Sequence, residues 1–126
     1  MKKIIKINDY SKYTCTSGGS YIKISSDNLI KLFGDPTKSD SYKSDWNWRL
    51  TLDDESVVDI YDWKIGKNYL GEEEGLTLNE IEIWSMASDK KDNFEFIKTL
   101  LDFFANKEDW GNFEYIKEKM FFNLEE

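Results

Sequence analysis

The sequence is informative first through what it lacks. It contains no histidine, one cysteine and one proline among its 126 residues. Without histidine the chain cannot form Ser-His or Cys-His nucleophile pairs, or a zinc site with a histidine ligand. Cys15 has no second cysteine to pair with, and its neighbours Thr14 and Thr16 supply no cation to activate a thiolate. We therefore expect a protein that is not an enzyme and that needs no cofactor or metal.

Long apolar runs are also missing. None approaches the roughly 18 residues of a membrane span, and the opening MKKIIKIND is too short and too charged for a signal peptide. We therefore expect a cytoplasmic protein with no membrane partner. The SGGS at residues 17–20 is not followed by the Lys-Ser/Thr of a phosphate-binding loop, so we interpret it as a hairpin turn.

Aromatic residues, in contrast, are abundant. Five Trp, seven Tyr and eight Phe occur in a chain that is 40% apolar, which is too apolar for a disordered protein. The length suits one domain spanning residues 1–126 with a single core.

Apolar spacing divides the chain into strands and helices. Period-two or β-branched runs predict strands at residues 3–7, 21–25, 46–52, 57–63 and 78–86. A short helix is predicted at residues 26–34, with Ser26 as its N-cap and Gly34 at its end. The polar stretch 37–45 is interpreted as a mobile loop.

The faces of the strands follow from the same spacing. Trp46, Trp48 and Leu50 alternate with polar residues, so they are expected on one face of a strand that forms a hairpin with residues 57–63. In the last strand we place Ile81 and Ile83 on one face and Trp84 on the other.

The C-terminal third is predicted to be helical. Apolar residues recur at three-to-four spacing from residue 94 to 104, and again from 113 to 124. The resulting fold class is α+β: a mainly antiparallel sheet of four or five strands, a short helix in the N-terminal half, and two C-terminal helices on one face.

Charge is unevenly distributed along the chain. Residues 1–71 hold 11 basic and 10 acidic residues, whereas residues 72–126 hold 6 basic and 15 acidic residues, giving balances of +1 and −9 and a net charge of −8. Such a chain does not favour direct binding of nucleic acid, but its acidic part can attract a basic groove on a partner protein.

The preferred hypothesis from the residues is therefore a binding protein that occludes a basic surface. Exposed aromatics would anchor the partner and acidic residues would steer it. The expected anchors are Tyr69 and Trp110, and the expected steering residues are Glu72, Glu73, Glu74, Glu108, Asp109, Glu114 and Glu118. A second copy could also pair with the edge of the strand at residues 3–7.

A small-ligand site is the main alternative. Aromatic residues of the hairpin could form a pocket with nearby cations as phosphate partners, which would sequester a nucleotide signal. The residues of this pocket would be Trp48, Arg49, Tyr61, Trp63, Lys64 and Lys67. The tryptophans could also stack bases, although Trp at i and i+2 is more typical of a core. A hydrolase with two carboxylates is a third hypothesis, and nothing marks one pair among the 25 acids.

Several motifs together resemble small phage proteins. The segments are FGDP at residues 33–36, the Trp-rich strand, IYDWK at 60–64, YLG at 69–71, and Trp84 at the end of a strand. They resemble a group of uncharacterised proteins of phages and other large DNA viruses over residues 26–101. DDES at 53–56 and SMAS at 85–88 depart from the glycine-containing segments of that group.

The resemblance implies a viral or prophage origin and no reaction. Small acidic phage proteins without catalytic signatures are often antagonists of host defence. By that analogy the chain is expected to be anti-CRISPR-like, an inhibitor of a CRISPR–Cas effector, a restriction enzyme or another nuclease.

Overall fold

The computed structural model describes residues 2–11, 14–39 and 41–105. Their elements, in chain order, are β1 (Ile4–Ile7), β2 (Ser17–Lys23), α1 (Ser26–Phe33), β3 (Thr37–Lys38), β4 (Trp46–Leu52), β5 (Val57–Tyr61), α2 (Lys67–Leu70), a 3-10 turn (Leu78–Glu80), β6 (Ile83–Ser88) and α3 (Asp92–Ala105). The predicted second C-terminal helix lies outside the described residues.

The strands form one antiparallel sheet in the order β1-β4-β5-β6-β2. The short β3 pairs with the start of β4, on the same side as β1, because β5 occupies the other side. The predicted α+β fold, with the β4–β5 hairpin at the centre of the sheet, is therefore confirmed. Both outer strands, β1 and β2, contain a bulge, at Ile5 and at Gly19 respectively.

One face of the sheet forms the core. Trp48 and Leu50 of β4 are fully buried there, as the period-two pattern predicted, and Trp48 packs edge-on against Trp84 with ring centroids 5.1 Å apart. Helices α1 and α3 cover this face. Leu32 of α1 and Ile97 of α3 are buried in the same cluster. The opposite face carries the alternate residues of each strand and is only partly covered.

The first helix is set by its two ends. The hydroxyl of Ser25 accepts a hydrogen bond from the backbone N–H of Asn28, so the N-cap lies one residue before the predicted Ser26. The helix ends at Gly34, whose φ of 77° favours a residue without Cβ. The indole N–H of Trp48 donates to the Gly34 carbonyl and joins this end of the helix to the core.

Three local predictions were wrong. The SGGS segment belongs to β2 and is not a hairpin turn. The strand near the C-terminal third starts at Ile83, preceded by a 3-10 turn, so the buried Ile81 lies before it; within the strand Ile83 is exposed and Trp84 is buried, on opposite faces as predicted. The stretch 37–45 contains β3, and it ends in the buried Ser44 and Asp45, which the polar composition did not suggest.

Candidate interaction surface

The segment that follows β5 is held by a buried carboxylate. Asp62 is 0% exposed, and its oxygens accept hydrogen bonds from the backbone N–H groups of Asp45, at 2.9 and 3.0 Å, and of Trp46, at 2.8 Å. The start of β4 and the end of β5 are thereby joined just beyond their last ladder pair. Because the acceptor is charged, these bonds are stronger than neutral ones.

A second carboxylate holds the short helix α2. Asp45 accepts hydrogen bonds from the backbone N–H groups of Lys67 and Asn68, both at 2.8 Å. This residue therefore supplies the N-terminal cap that Gly66 cannot provide. The side-chain amide of Asn68 in turn donates a hydrogen bond to the backbone carbonyl of Ser44 at 2.8 Å.

Two glycines let the backbone pass close to these groups. A Cβ at Gly66 would lie 2.5 Å from an Asp62 oxygen and 2.6 Å from an Asp45 oxygen. A Cβ at Gly75 would lie 2.4 Å from the Cα of Lys67. Residues 62–76 therefore form a tightly packed loop, which we call the clamped loop.

The pKa of the Asp62 carboxyl is shifted in the direction that is unusual for an aspartate. Burial raises the pKa of the Asp62 carboxyl above its ordinary value, and the nearby Asp45 carboxylate adds to the rise. The backbone hydrogen bonds from Asp45 and Trp46 lower it and offset only part of the effect. Asp62 thus holds the loop in place although burial disfavours its charged form.

On the outside of the clamped loop, three aromatic rings and two ammonium groups form a closed circuit. Lys43 Nζ lies 5.2 Å from the Tyr42 ring centroid and 5.3 Å from that of Trp63. Lys64 Nζ lies 5.4 Å from the Trp63 centroid and 5.6 Å from that of Tyr69. Tyr69 and Tyr42 close the circuit by stacking, with centroids 6.3 Å apart. We call these five residues the ring–lysine cluster.

The rings of this cluster remain accessible. Tyr42 is 65% exposed, and Trp63 and Tyr69 are each 43% exposed. Lys64, whose ammonium group lies near two rings, has a backbone φ of 61°, which is uncommon for a residue with a side chain. The backbone N–H of Lys64 also donates to the carbonyl of Lys43 at 2.8 Å, so the two lysines are tied together.

An acidic tip lies in the same loop. Glu72, Glu73 and Glu74 are all exposed, and Glu72 pairs with Lys67 at 3.1 Å. The surface of the clamped loop therefore combines exposed aromatic rings, a cationic part and an acidic part.

The structure places the predicted anchors and steering residues as follows. Tyr69 and the three glutamates 72–74 lie together on the clamped loop. The remaining ones, Glu108, Asp109, Trp110, Glu114 and Glu118, lie outside the described residues. The surface at residues 69–74 also includes Tyr42 and Lys43, which no sequence pattern indicated.

The six residues of the alternative nucleotide pocket are only partly brought together: the Tyr61 and Trp63 rings are in contact, with centroids 6.0 Å apart, and Lys64 contacts Trp63. Trp48 is buried on the core face, opposite to the face that Arg49 and Tyr61 occupy. Arg49 makes two 2.8 Å hydrogen bonds with the carboxylate of Asp59, so its guanidinium is already engaged. The other three residues, Trp63, Lys64 and Lys67, lie on the clamped loop, where Lys64 lies over the Trp63 ring.

A separate groove lies at the outer strand β2. It has a volume of about 740 Å³ and is lined by Ser17, Gly18, Gly19, Ser88 and Phe94, among others. Its lining is mixed and includes both Asp89 and Lys91, which gives no preference for one ligand charge.

Comparisons with known proteins do not assign the chain to a family. No protein-family model matches the chain, and no curated protein matches it. Among the helices of residues 2–11, 14–39 and 41–105, none is long and apolar enough to cross a membrane.

Proposed function

We propose that this chain is a non-enzymatic binding protein whose ring–lysine cluster docks on a protein partner. The observation that carries the proposal is a set of three exposed rings, Trp63 and Tyr69 on the clamped loop and Tyr42 beside it, next to two buried carboxylates that join the loop to the start of β4. Tyr and Trp are enriched among the residues that dominate binding energy at interfaces. A rigid loop loses little conformational entropy when a partner binds, so more of the contact energy appears as affinity.

The partner we propose is a host defence protein, such as a CRISPR–Cas effector or another nuclease, in the cytoplasm of an infected bacterium. Two observations support this class: the resemblance of the IYDWK and YLG segments to phage proteins, and the net charge of −8. Inhibition would proceed by occlusion, with the acidic residues accelerating encounter and the aromatic anchors slowing dissociation.

The test is capture of the partner from a bacterial lysate that has been treated with nuclease, followed by an assay of the captured activity. We expect the tagged chain to retain a defence nuclease in stoichiometric amount and to inhibit its cleavage of DNA in vitro. The double variant Trp63→Ala/Tyr69→Ala should lower the affinity about 100-fold, because each anchor is worth about 1–2 kcal/mol.

Tyr21→Ala is the matched control. Tyr21 is 68% exposed on β2, outside the ring–lysine cluster, so its removal should leave both capture and inhibition unchanged. Capture of a nuclease that the wild-type chain does not inhibit, or equal inhibition by the double variant, would reject the proposal.

The nucleotide-sequestering alternative gains no comparable support, because the Arg49 guanidinium that would bind a phosphate is paired with Asp59. A bound nucleotide absorbing near 260 nm in the purified protein would nevertheless revive it.

A further inference from the structure

We infer that the partner segment seated on the ring–lysine cluster is a polypeptide that presents carboxylates to Lys43 and Lys64. The inference rests on the proposed docking function and specifies the chemistry of the partner at that site. A carboxylate-bearing partner segment is not what the net charge suggests, since an acidic chain is expected to bind a partner surface that is basic over its whole area.

The ammonium groups of Lys43 and Lys64 are contacted by aromatic rings. Each lies 5.2–5.6 Å from two ring centroids, so the π faces already stabilise part of its charge. Within the part of the chain that the structure describes, neither ammonium group lies within ion-pair distance of a carboxylate. Their N–H donors are therefore not engaged by a carboxylate of the described residues.

A partner that docks on the ring–lysine cluster would bury those donors. A partner that covers Trp63 must also cover the lysines on both sides of it, because each ammonium group is within 5.4 Å of that ring's centroid. Burying a charged donor without an acceptor is strongly unfavourable. A partner that binds here must therefore supply acceptors, and carboxylates provide the charge that compensates both lysines.

The charges around the cluster favour a polypeptide over a nucleic acid. Phosphates would also accept from the lysines, and the exposed rings could stack bases. However, the exposed Glu72, Glu73 and Glu74 belong to the same loop, and the chain as a whole carries a charge of −8. A polyanion would be repelled by this tip, whereas a polypeptide can place carboxylates on the cluster and a basic side chain near the tip.

The experiment uses the full chain and three fluorescein-labelled probes. The first is a 12-residue peptide of Glu, Leu and Gly, the second is the same peptide with every Glu replaced by Gln, and the third is a 12-nucleotide oligo-dT. Binding is measured by fluorescence anisotropy at low and at physiological salt. Shifts of the backbone amides of Lys43 and Lys64 in a ¹H–¹⁵N spectrum locate the site.

The Glu peptide should bind about tenfold more tightly than the Gln peptide at low salt, since two partly desolvated ion pairs each contribute about 0.5–1 kcal/mol. Lys43→Gln/Lys64→Gln should abolish that preference, whereas Lys43→Arg/Lys64→Arg should retain most of it. Lys91→Gln/Lys98→Gln removes the same charge at two exposed positions elsewhere and should change nothing.

Three results would overturn the inference: equal binding of the Glu and Gln peptides, tighter binding of the oligonucleotide than of the Glu peptide, or a Glu preference that survives Lys43→Gln/Lys64→Gln. Failure of this inference is distinguishable from failure of the docking function. If Trp63→Ala/Tyr69→Ala abolishes inhibition of the captured nuclease while Lys43→Gln/Lys64→Gln does not, docking stands and the carboxylate requirement is rejected.

Discussion

Two aspartates flank strand β5, and their environments are opposite. Asp54, in the hairpin turn before β5, accepts hydrogen bonds from the backbone N–H and hydroxyl of Ser56 and from Lys90 Nζ at 2.9 Å. These bonds lower the pKa of Asp54 well below its ordinary value. Asp62, after β5, is fully buried beside Asp45, and burial raises its pKa.

The comparison shows that one residue type can organise two loops at very different electrostatic cost. The turn is held by a half-exposed carboxylate with a cation beside it, whereas the clamped loop is held by a buried carboxylate with no described cation partner. The loop that carries the candidate surface thus depends on buried hydrogen bonds, and the turn depends on solvated ones. Four predictions test this difference.

The largest effect is expected from Asp62→Ala. The substitution leaves the backbone N–H groups of Asp45 and Trp46 without their acceptor in a buried region, at a cost of about 3 kcal/mol in the free energy of unfolding. Chemical denaturation measures this quantity. A loss of stability no larger than that of Asp54→Ala would contradict the difference between the buried and the solvated aspartate.

Gly66→Ala is expected to cost slightly less, about 2 kcal/mol, because the new methyl group overlaps two carboxylates that hydrogen bonds hold in place. Gly71→Ala is the matched control in the same loop. A Cβ at Gly71 meets nothing within 4 Å, and its φ of 91° accounts for the strain expected there, about 1–2 kcal/mol. The prediction fails if Gly66→Ala is as stable as the wild type in thermal unfolding.

For Asp54→Ala we expect a loss of only about 1 kcal/mol. The hydrogen bonds from Ser56 and the ion pair with Lys90 are lost, but water replaces them at this partly exposed position. Lys90→Gln, which removes only the ion pair, should have a smaller effect still. A loss from Asp54→Ala as large as that from Asp62→Ala would show that exposure does not separate the two sites.

The smallest expected effect is a difference in pH dependence. The raised folded-state pKa of Asp62 gives stability that is complete below its unfolded value of about 4 and is lost as the pH rises through the folded value. The lowered pKa of Asp54 gives stability that is complete above about 4 and is lost as the pH falls through the folded value.

Asp62→Asn and Asp54→Asn isolate the two contributions. We expect the difference in unfolding free energy between the wild type and Asp62→Asn to fall with rising pH, and that for Asp54→Asn to rise. Unfolding curves between about pH 2 and pH 7 cover most of the range in which Asp54 loses its contribution, and the range upward from about 4 in which Asp62 loses its own. Differences that change in the same direction would contradict the opposite environments assigned here.

Sequence patterning predicted the centre of the fold well. The alternation from Trp46 to Leu52 is a local property of the chain, so the β4–β5 hairpin and its buried face could be predicted from it. Which face of β6 is buried could not be predicted from the sequence, because Ile83 and Trp84 are both apolar. Which of them is buried depends on their pairing with Lys23 and Ile22, respectively, a contact distant in sequence.

The candidate surface was predicted only where it is local. Tyr69 and Glu72–Glu74, the residues that were predicted, stand in one short segment of the chain. Tyr42 and Lys43 join the cluster through the hydrogen bonds that connect the start of β4 to Asp62, across 16 or more positions in the chain. The only sequence signal for that connection was an aspartate, Asp62, at the end of an apolar strand, which is an expensive place for a charge.

The bulges in the two outer strands have a consequence for the protein at high concentration. Regular outer strands offer unpaired backbone groups to other chains and can template stacked assemblies. Here Ile5 in β1 and Gly19 in β2 each interrupt the ladder at an outer strand, which kinks the edge away from a flat template. Fibre growth by edge-to-edge addition is thereby discouraged at both ends of the sheet, so a chain produced abundantly can keep its aromatic surface exposed without polymerising through its edges.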